Sequence, residues 1–191
     1  YIVTAEDGST TKDYLVTVTV IPPAGTGPIA VGASGSDTLI FDARPSASEW
    51  TTLSVAGNGG AITDVAGIDA AMALIAAASI NTQLVCQVGS GLSSNAYWRS
   101  GDQKLGTQAT GNAMTLLMAT LKNTSGSTID SLTVSYTLGV MENIDNENVI
   151  KGHRVYCKTE AALTWTPVGD YLLDVPGTTP IIFDLTALSW A

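Results

Sequence analysis

Leu132-Thr-Val-Ser-Tyr-Thr-Leu-Gly-Val140 carries the clearest structural pattern in the chain. Leu132, Val134, Tyr136 and Leu138 alternate with Thr133, Ser135 and Thr137, which predicts a strand with one buried and one wet face. Upstream, Asn123-Thr-Ser-Gly-Ser-Thr128 reads as a turn, and residues 113–121 are apolar enough to form the strand before it. Working outward, strand signals recur at residues 38–41, 50–55, 82–88, 96–99, 153–158, 164–168 and 180–185. One helix interrupts them, predicted from Asp64 to about Ser79 with Thr63 or Asp64 as N-cap. Its alanines with Ile68, Met72, Leu74 and Ile75 cover most of its circumference, so it is expected to be largely buried. Many short strands, Gly/Ser/Asn turns and one Ala-rich helix predict an all-β fold, a jelly-roll-like antiparallel β-sandwich.

Residues 22–37 are rich in Pro and Gly and read as a linker, because Pro22 and Pro23 cannot donate to a central ladder. Before them, Tyr1-Ile-Val-Thr-Ala-Glu-Asp-Gly-Ser-Thr-Thr-Lys-Asp-Tyr-Leu-Val-Thr-Val-Thr-Val20 reads as a β-hairpin turning at Glu6-Asp7-Gly8-Ser9. Its second arm sets Tyr14, Val16, Val18 and Val20 on one face and Leu15, Thr17 and Thr19 on the other. A lone two-stranded hairpin is marginal in water, so this one must dock on its own chain, a neighbour or another module. The expected organisation is therefore hairpin 1–21, linker 22–37 and β-sandwich domain 38–191.

Of the 191 residues 45% are hydrophobic, enough for a sizeable core, and only 13% are charged, about half the usual share. Polarity comes from Thr, Ser, Asn and Gly, a composition common in extracellular β-proteins. Seventeen acidic and 8 basic residues give a net charge of −9, which disfavours nucleic acid and anionic membranes as partners. The longest apolar stretch, residues 65–80, is broken by Gly67, Asp69 and Ser79 and predicts no membrane insertion. Tyr1 begins directly in a strand pattern, as expected of a mature or excised chain.

No catalytic constellation marks the chain as an enzyme. His153, the single histidine, stands without a recognisable nucleophile motif. No pattern picks out a carboxylate pair for glycoside hydrolysis. Glu142, Asp145 and Glu147 supply hard oxygen ligands suited to Ca²⁺, but their spacing matches no EF-hand and there is no central Gly, so a solvated acidic loop is the preferred reading over a calcium site. No other cofactor is implied. Cys86 and Cys157 each lie in a strand-like run, either as a disulfide or as two buried thiols. Asn123-Thr-Ser125 fits the N-glycosylation acceptor pattern. Trp50, Trp98, Trp165 and Trp190, with Tyr97, Tyr136, Tyr156 and Tyr171, either stack on a sugar or fill the core.

Two resemblances follow from quoted motifs. Residues 3–10 and 14–20 resemble the last two strands of immunoglobulin-like or cadherin-like repeats of bacterial surface proteins, over about a tenth of the chain. Residues 38–191 resemble a jelly-roll-type module of large secreted bacterial proteins. That likeness is carried by Glu49-Trp-Thr-Thr-Leu-Ser-Val55, Tyr97-Trp-Arg99, the apolar run 113–126, residues 132–138, Gly152-His-Arg-Val-Tyr156 and Trp165-Thr-Pro-Val168. It implies a non-catalytic extracellular module in which one or two further strands would follow Ser189-Trp-Ala191.

A surplus hairpin in front and a missing strand behind are the two halves of a strand exchange. The expected function is thus a self-assembling fibre subunit at the cell surface or in its matrix. Its partners would be copies of itself, with Tyr14, Val16, Val18 and Val20 filling a neighbour's groove. The alternative is a carbohydrate-binding adhesion module whose partner is a polysaccharide.

Overall fold

The structure, a computed structural model, describes residues 2–4, 11–13, 25–36, 38–55, 62–87, 95–107, 114–139, 152–173, 176–184 and 190–191. The N-terminal half contains β1 (Ile2–Thr4), β2 (Thr11–Asp13), β3 (Ile29–Val31), β4 (Trp50–Val55) and helix α1 (Val65–Ala73). There follow β5 (Thr82–Gln83), β6 (Val85–Gln87), β7 (Tyr97–Arg99), β8 (Lys104–Gly106), β9 (Met114–Ala119) and β10 (Leu121–Asn123). The chain closes with β11 (Ser131–Leu138), β12 (His153–Cys157), β13 (Thr166–Leu172) and β14 (Gly177–Asp184). It is an all-β protein with one α-helix among the described residues.

β1 and β2 pair antiparallel, Ile2 opposite Asp13 and Thr4 opposite Thr11, while the predicted turn at Glu6-Asp7-Gly8-Ser9 lies outside the described residues. β11 runs antiparallel to β14 from Ser131↔Asp184 to Leu138↔Gly177. Its residues alternate strictly between exposed and half-buried, with Leu132, Val134, Tyr136 and Leu138 inward.

Two continuous stretches each serve two sheets. β5 pairs with β4 and β6 pairs with β7, so the chain changes sheet at Leu84, whose side chain is fully buried. β9 pairs with β4 and β10 with β3, changing partner at Thr120. Thr120 holds both neighbours, its N–H donating to Glu49 O at 2.9 Å and its carbonyl accepting from Ile29 N at 2.8 Å. Such corners let one strand knit two layers. The core gathers around them, with Ile29, Val31, Met72, Ile80, Leu84, Ala96 and Tyr97 buried. Thr52 is buried on β4 and satisfied twice, donating to Leu116 O at 2.7 Å and accepting from Ala96 N at 2.8 Å.

Several expectations are corrected. Residues 22–37 are not wholly a linker, because Ile29–Val31 form β3, buried and paired in parallel with β10. β6 and β7 are a second parallel pair. Residues 38–41 form no strand, and Leu39 and Ile40 are exposed. The helix starts as expected, with Oδ1 of Asp64 accepting from Gly67 N at 2.7 Å, but α1 ends at Ala73 and a 3-10 turn covers Ala77–Ser79. It is not largely buried: only Met72 is enclosed, and Leu74 is exposed. Short alanines leave little apolar area to enclose, and partners meet the helix on one side.

The β12–β13 hairpin lies between two partners. On one face Val155, Cys157, Val168 and Leu172 join Leu132, Val134 and Tyr136 in a half-buried apolar layer. On the alternate face Arg154 and Tyr156 reach Asp69 of α1, and Trp165 Nε1 donates to Ile75 O at 2.8 Å.

Candidate functional site

The end of β3 and the beginning of β11 enclose an open groove of about 390 Å³. Val31, only 4% exposed, lies at its base, with half-buried Ile129 and Leu132. Gly32 and Gly35 form one wall, where a tight turn closes with Gly32 N to Gly35 O at 3.0 Å and Gly35 N to Gly32 O at 3.1 Å. Gly35 has φ +100°, a conformation that suits glycine, and no heavy atom would meet a Cβ there within 4 Å. The opposite wall carries hydroxyls from Ser125, Ser127, Ser131 and Thr133. Among the described residues that line the groove none is charged.

Asn123 braces this wall. Its Oδ1 accepts from Ser125 N at 2.9 Å and Ser125 Oγ at 2.7 Å. Its Nδ2 donates to Ser127 O at 2.7 Å and to Trp190 O at 3.0 Å, while Ile129 N donates to the same Trp190 carbonyl at 2.9 Å. Nδ2, the nitrogen that a glycan would join, thus donates to two carbonyls, which gives Asn123 a structural task.

At the other end of β3, Glu49 fixes the entry of the chain. Its Oε1 accepts from Gly25 N at 3.1 Å, and its Oε2 accepts from both the N and the Oγ of Ser46 at 3.1 Å.

The assembly residues Tyr14, Val16, Val18 and Val20 and the acidic loop of Glu142, Asp145 and Glu147 lie outside the described residues. Among the described residues, no three His, Cys, Asp or Glu side chains cluster to hold a metal. No described helix is long and apolar enough to cross a membrane. Of the two alternatives at the cysteines, the structure has the free thiols, exposed at Cys86 and half-buried at Cys157, whose pKa burial pushes up.

Trp50, Trp98, Trp165 and Trp190 are all half-buried. Phe41 meets Trp50 edge to face at 5.7 Å, and Trp98 Nε1 donates to Phe41 O at 2.8 Å. His153 Nε2 and Tyr136 Oη are 2.5 Å apart, with T-shaped rings, and tie β12 to β11. Tyr156 has its pKa raised by burial first and by Asp69 second, so it stays neutral and serves as a donor rather than a base.

The chain matches no protein-family model, no curated protein and no solved structure. Its reading rests on its own geometry. Sequence reasoning missed the groove because its walls come from opposite sides of the presumed domain boundary. The one local signal was the Gly32-Ala-Ser-Gly35 run, which leaves backbone bare for close approach.

Proposed function

We propose that the chain is a non-enzymatic structural subunit of an extracellular or cell-surface fibre, joined to its neighbours by strand exchange of the opening hairpin. The observation that carries this reading is the isolation of β1 and β2. They form a two-stranded sheet that pairs with no third strand among the described residues. A pair of that size is marginal alone and needs another surface for stability. A neighbouring copy offers one, and the contact is head-to-tail, which propagates into a filament when its rotation does not close. The low charge content and the Ser/Thr-rich polarity fit dense contacts between subunits outside the cell.

Electron microscopy of native material tests the proposal. Filaments repeating once per subunit are expected, and removal of residues 1–21 is expected to abolish them while leaving soluble subunits. Polymers that survive the deletion would overturn it.

A further inference from the structure

We infer that the surface at Leu39 and Ile40, beside the Ser46–Glu49 turn, is where a second copy of this chain rests, the copy that receives this one's hairpin. The inference rests on the strand-exchange reading above and names the face of the subunit that such an exchange brings to its neighbour.

The first argument is anchorage. Gly25 is held from both sides, its N–H donating to Glu49 Oε1 at 3.1 Å and its carbonyl accepting from Ser48 Oγ at 3.5 Å. A Cβ at residue 25 would collide with Glu49 Oε1, so only glycine lets the chain pass this close. The carboxylate is itself fixed, because its Oε2 accepts from N and Oγ of Ser46. The turn closes with Glu49 N and Trp50 N on Ser46 O, and it runs directly into β4, which lies between β5 and β9. The Glu49 carbonyl accepts from Thr120 N at 2.9 Å as well. Gly25 is therefore a fixed point on the body.

The second argument is reach. Four residues, Ile21 to Ala24, separate Val20 at the end of the arm from Gly25. Fully extended, that length of chain spans at most about 18 Å. A compact chain of this length is about 40 Å across. A copy that holds the arm to its last valine therefore cannot stand clear of the donor. It must press on the surface around Gly25.

The third argument is the surface found there. Phe41 packs edge to face on Trp50 at 5.7 Å, and Trp50 directly follows Glu49. The Phe41 carbonyl accepts from Trp98 Nε1 at 2.8 Å, so the segment is pinned at this place. Yet Ile40 is 72% exposed and Leu39 42%. Adjacent large apolar side chains, held in water by a pinned segment, fit a surface that a partner covers. Leu74 and Leu163 are exposed too. They belong with the end of α1, where Trp165 Nε1 reaches Ile75 O, whereas Gly25 is held by Ser48 and Glu49.

The test places a charge on each exposed site in the full chain. Ile40→Asp puts a carboxylate in the inferred contact, and Leu163→Asp, at a residue 94% exposed, adds the same charge elsewhere. Filament formation is followed by sedimentation and electron microscopy, with the melting temperature of each variant. Ile40→Asp is expected to raise the concentration needed for filaments at least about tenfold, since the carboxylate must lose water in the contact. Leu163→Asp is expected to leave that concentration unchanged, and both variants should melt with the unmodified chain. A flexible insert of about ten Gly and Ser residues between Pro23 and Ala24 adds roughly 17 Å of reach. Combined with Ile40→Asp it is expected to restore polymers, because the two bodies no longer need to touch. Should Ile40→Asp melt early, Leu39→Asp asks the same question. Unchanged filaments from Ile40→Asp would overturn the inference and leave strand exchange standing. An equal loss from Leu163→Asp would overturn it by tracing the effect to net charge. Failure of the insert to restore polymers would overturn it by showing that the effect does not arise between tethered bodies. Dispersed particles from the unmodified chain would remove strand exchange and the inference with it.

Discussion

Tyr156 on β12 donates a 2.5 Å hydrogen bond to Oδ1 of Asp69 on α1, and Nε of Arg154 lies 2.9 Å from the same oxygen. The arginine contact is an ion pair without hydrogen-bond alignment, so the hydroxyl is the directional bond between helix and hairpin. This pairing explains why a helix with one buried residue keeps its place. Apolar area contributes little, and a carboxylate shared by two side chains of one strand face holds it instead.

Tyr156→Phe is accordingly expected to cost about 1.5–3 kcal/mol of unfolding free energy, the range for a hydrogen bond to a charged group. The same residue gives a pH signature. The folded pKa of Tyr156 is raised above the ordinary tyrosine value of about 10. Its contribution is therefore complete below about pH 10 and is lost as the pH rises from there toward the folded pKa. Denaturation in urea from pH 8 to 11 should show stability falling at the alkaline end, with a shallower fall in Tyr156→Phe. Parallel alkaline limbs in the two proteins would contradict the assignment.

Gly106 on β8 sits against a buried ring. A Cβ there would lie 2.5 Å from Cε2 and 2.6 Å from Cζ of Tyr97, opposite it in the ladder, and Tyr97 is only 6% exposed. The ring has little room to swing aside. Gly106→Ala is expected to destabilise by about 1–3 kcal/mol through overpacking. Gly101→Ala, which meets nothing within 4 Å, is the control and should change stability by less than about 0.5 kcal/mol. Equal melting temperatures for the two variants would show that β8 yields where the packing says it cannot.

What was legible in the sequence was what local chemistry decides. β11 announces itself because one face must be apolar and the other wet. The helix N-terminus is set by the Asp64 carboxylate three residues before a free N–H. The all-β character follows from the density of such strands. Long-range choices were not legible. The run 82–88 reads as one strand, yet buried Leu84 divides it between two sheets. β3 is three residues among prolines and glycines, and it becomes a strand only because Leu121–Asn123 lies beside it. The groove inherits this difficulty, since Val31 and Leu132 line it together although they lie far apart in the chain. Glu49 reads as an ordinary surface acid until Gly25 and Ser46 are seen to converge on it.

The alternation of the hairpin arm offers a test that leaves composition untouched. Val16→Thr, Thr17→Val, Val18→Thr and Thr19→Val together exchange the two faces while preserving every residue count, net charge and overall β-propensity. If assembly needs only a sticky, β-prone segment, the exchanged chain polymerises as before. If one apolar face of the arm must be covered by a neighbouring copy, the exchange sets threonines there and valines in water, the equivalent of a one-residue slip. Filaments seen by electron microscopy are then expected to be lost, with the thermal melting of the subunit little changed. Thr17→Ser with Thr19→Ser keeps the faces and should keep the filaments. Filaments from the exchanged chain would mean that the arm docks without regard to its faces, and strand exchange through its valine face would fall.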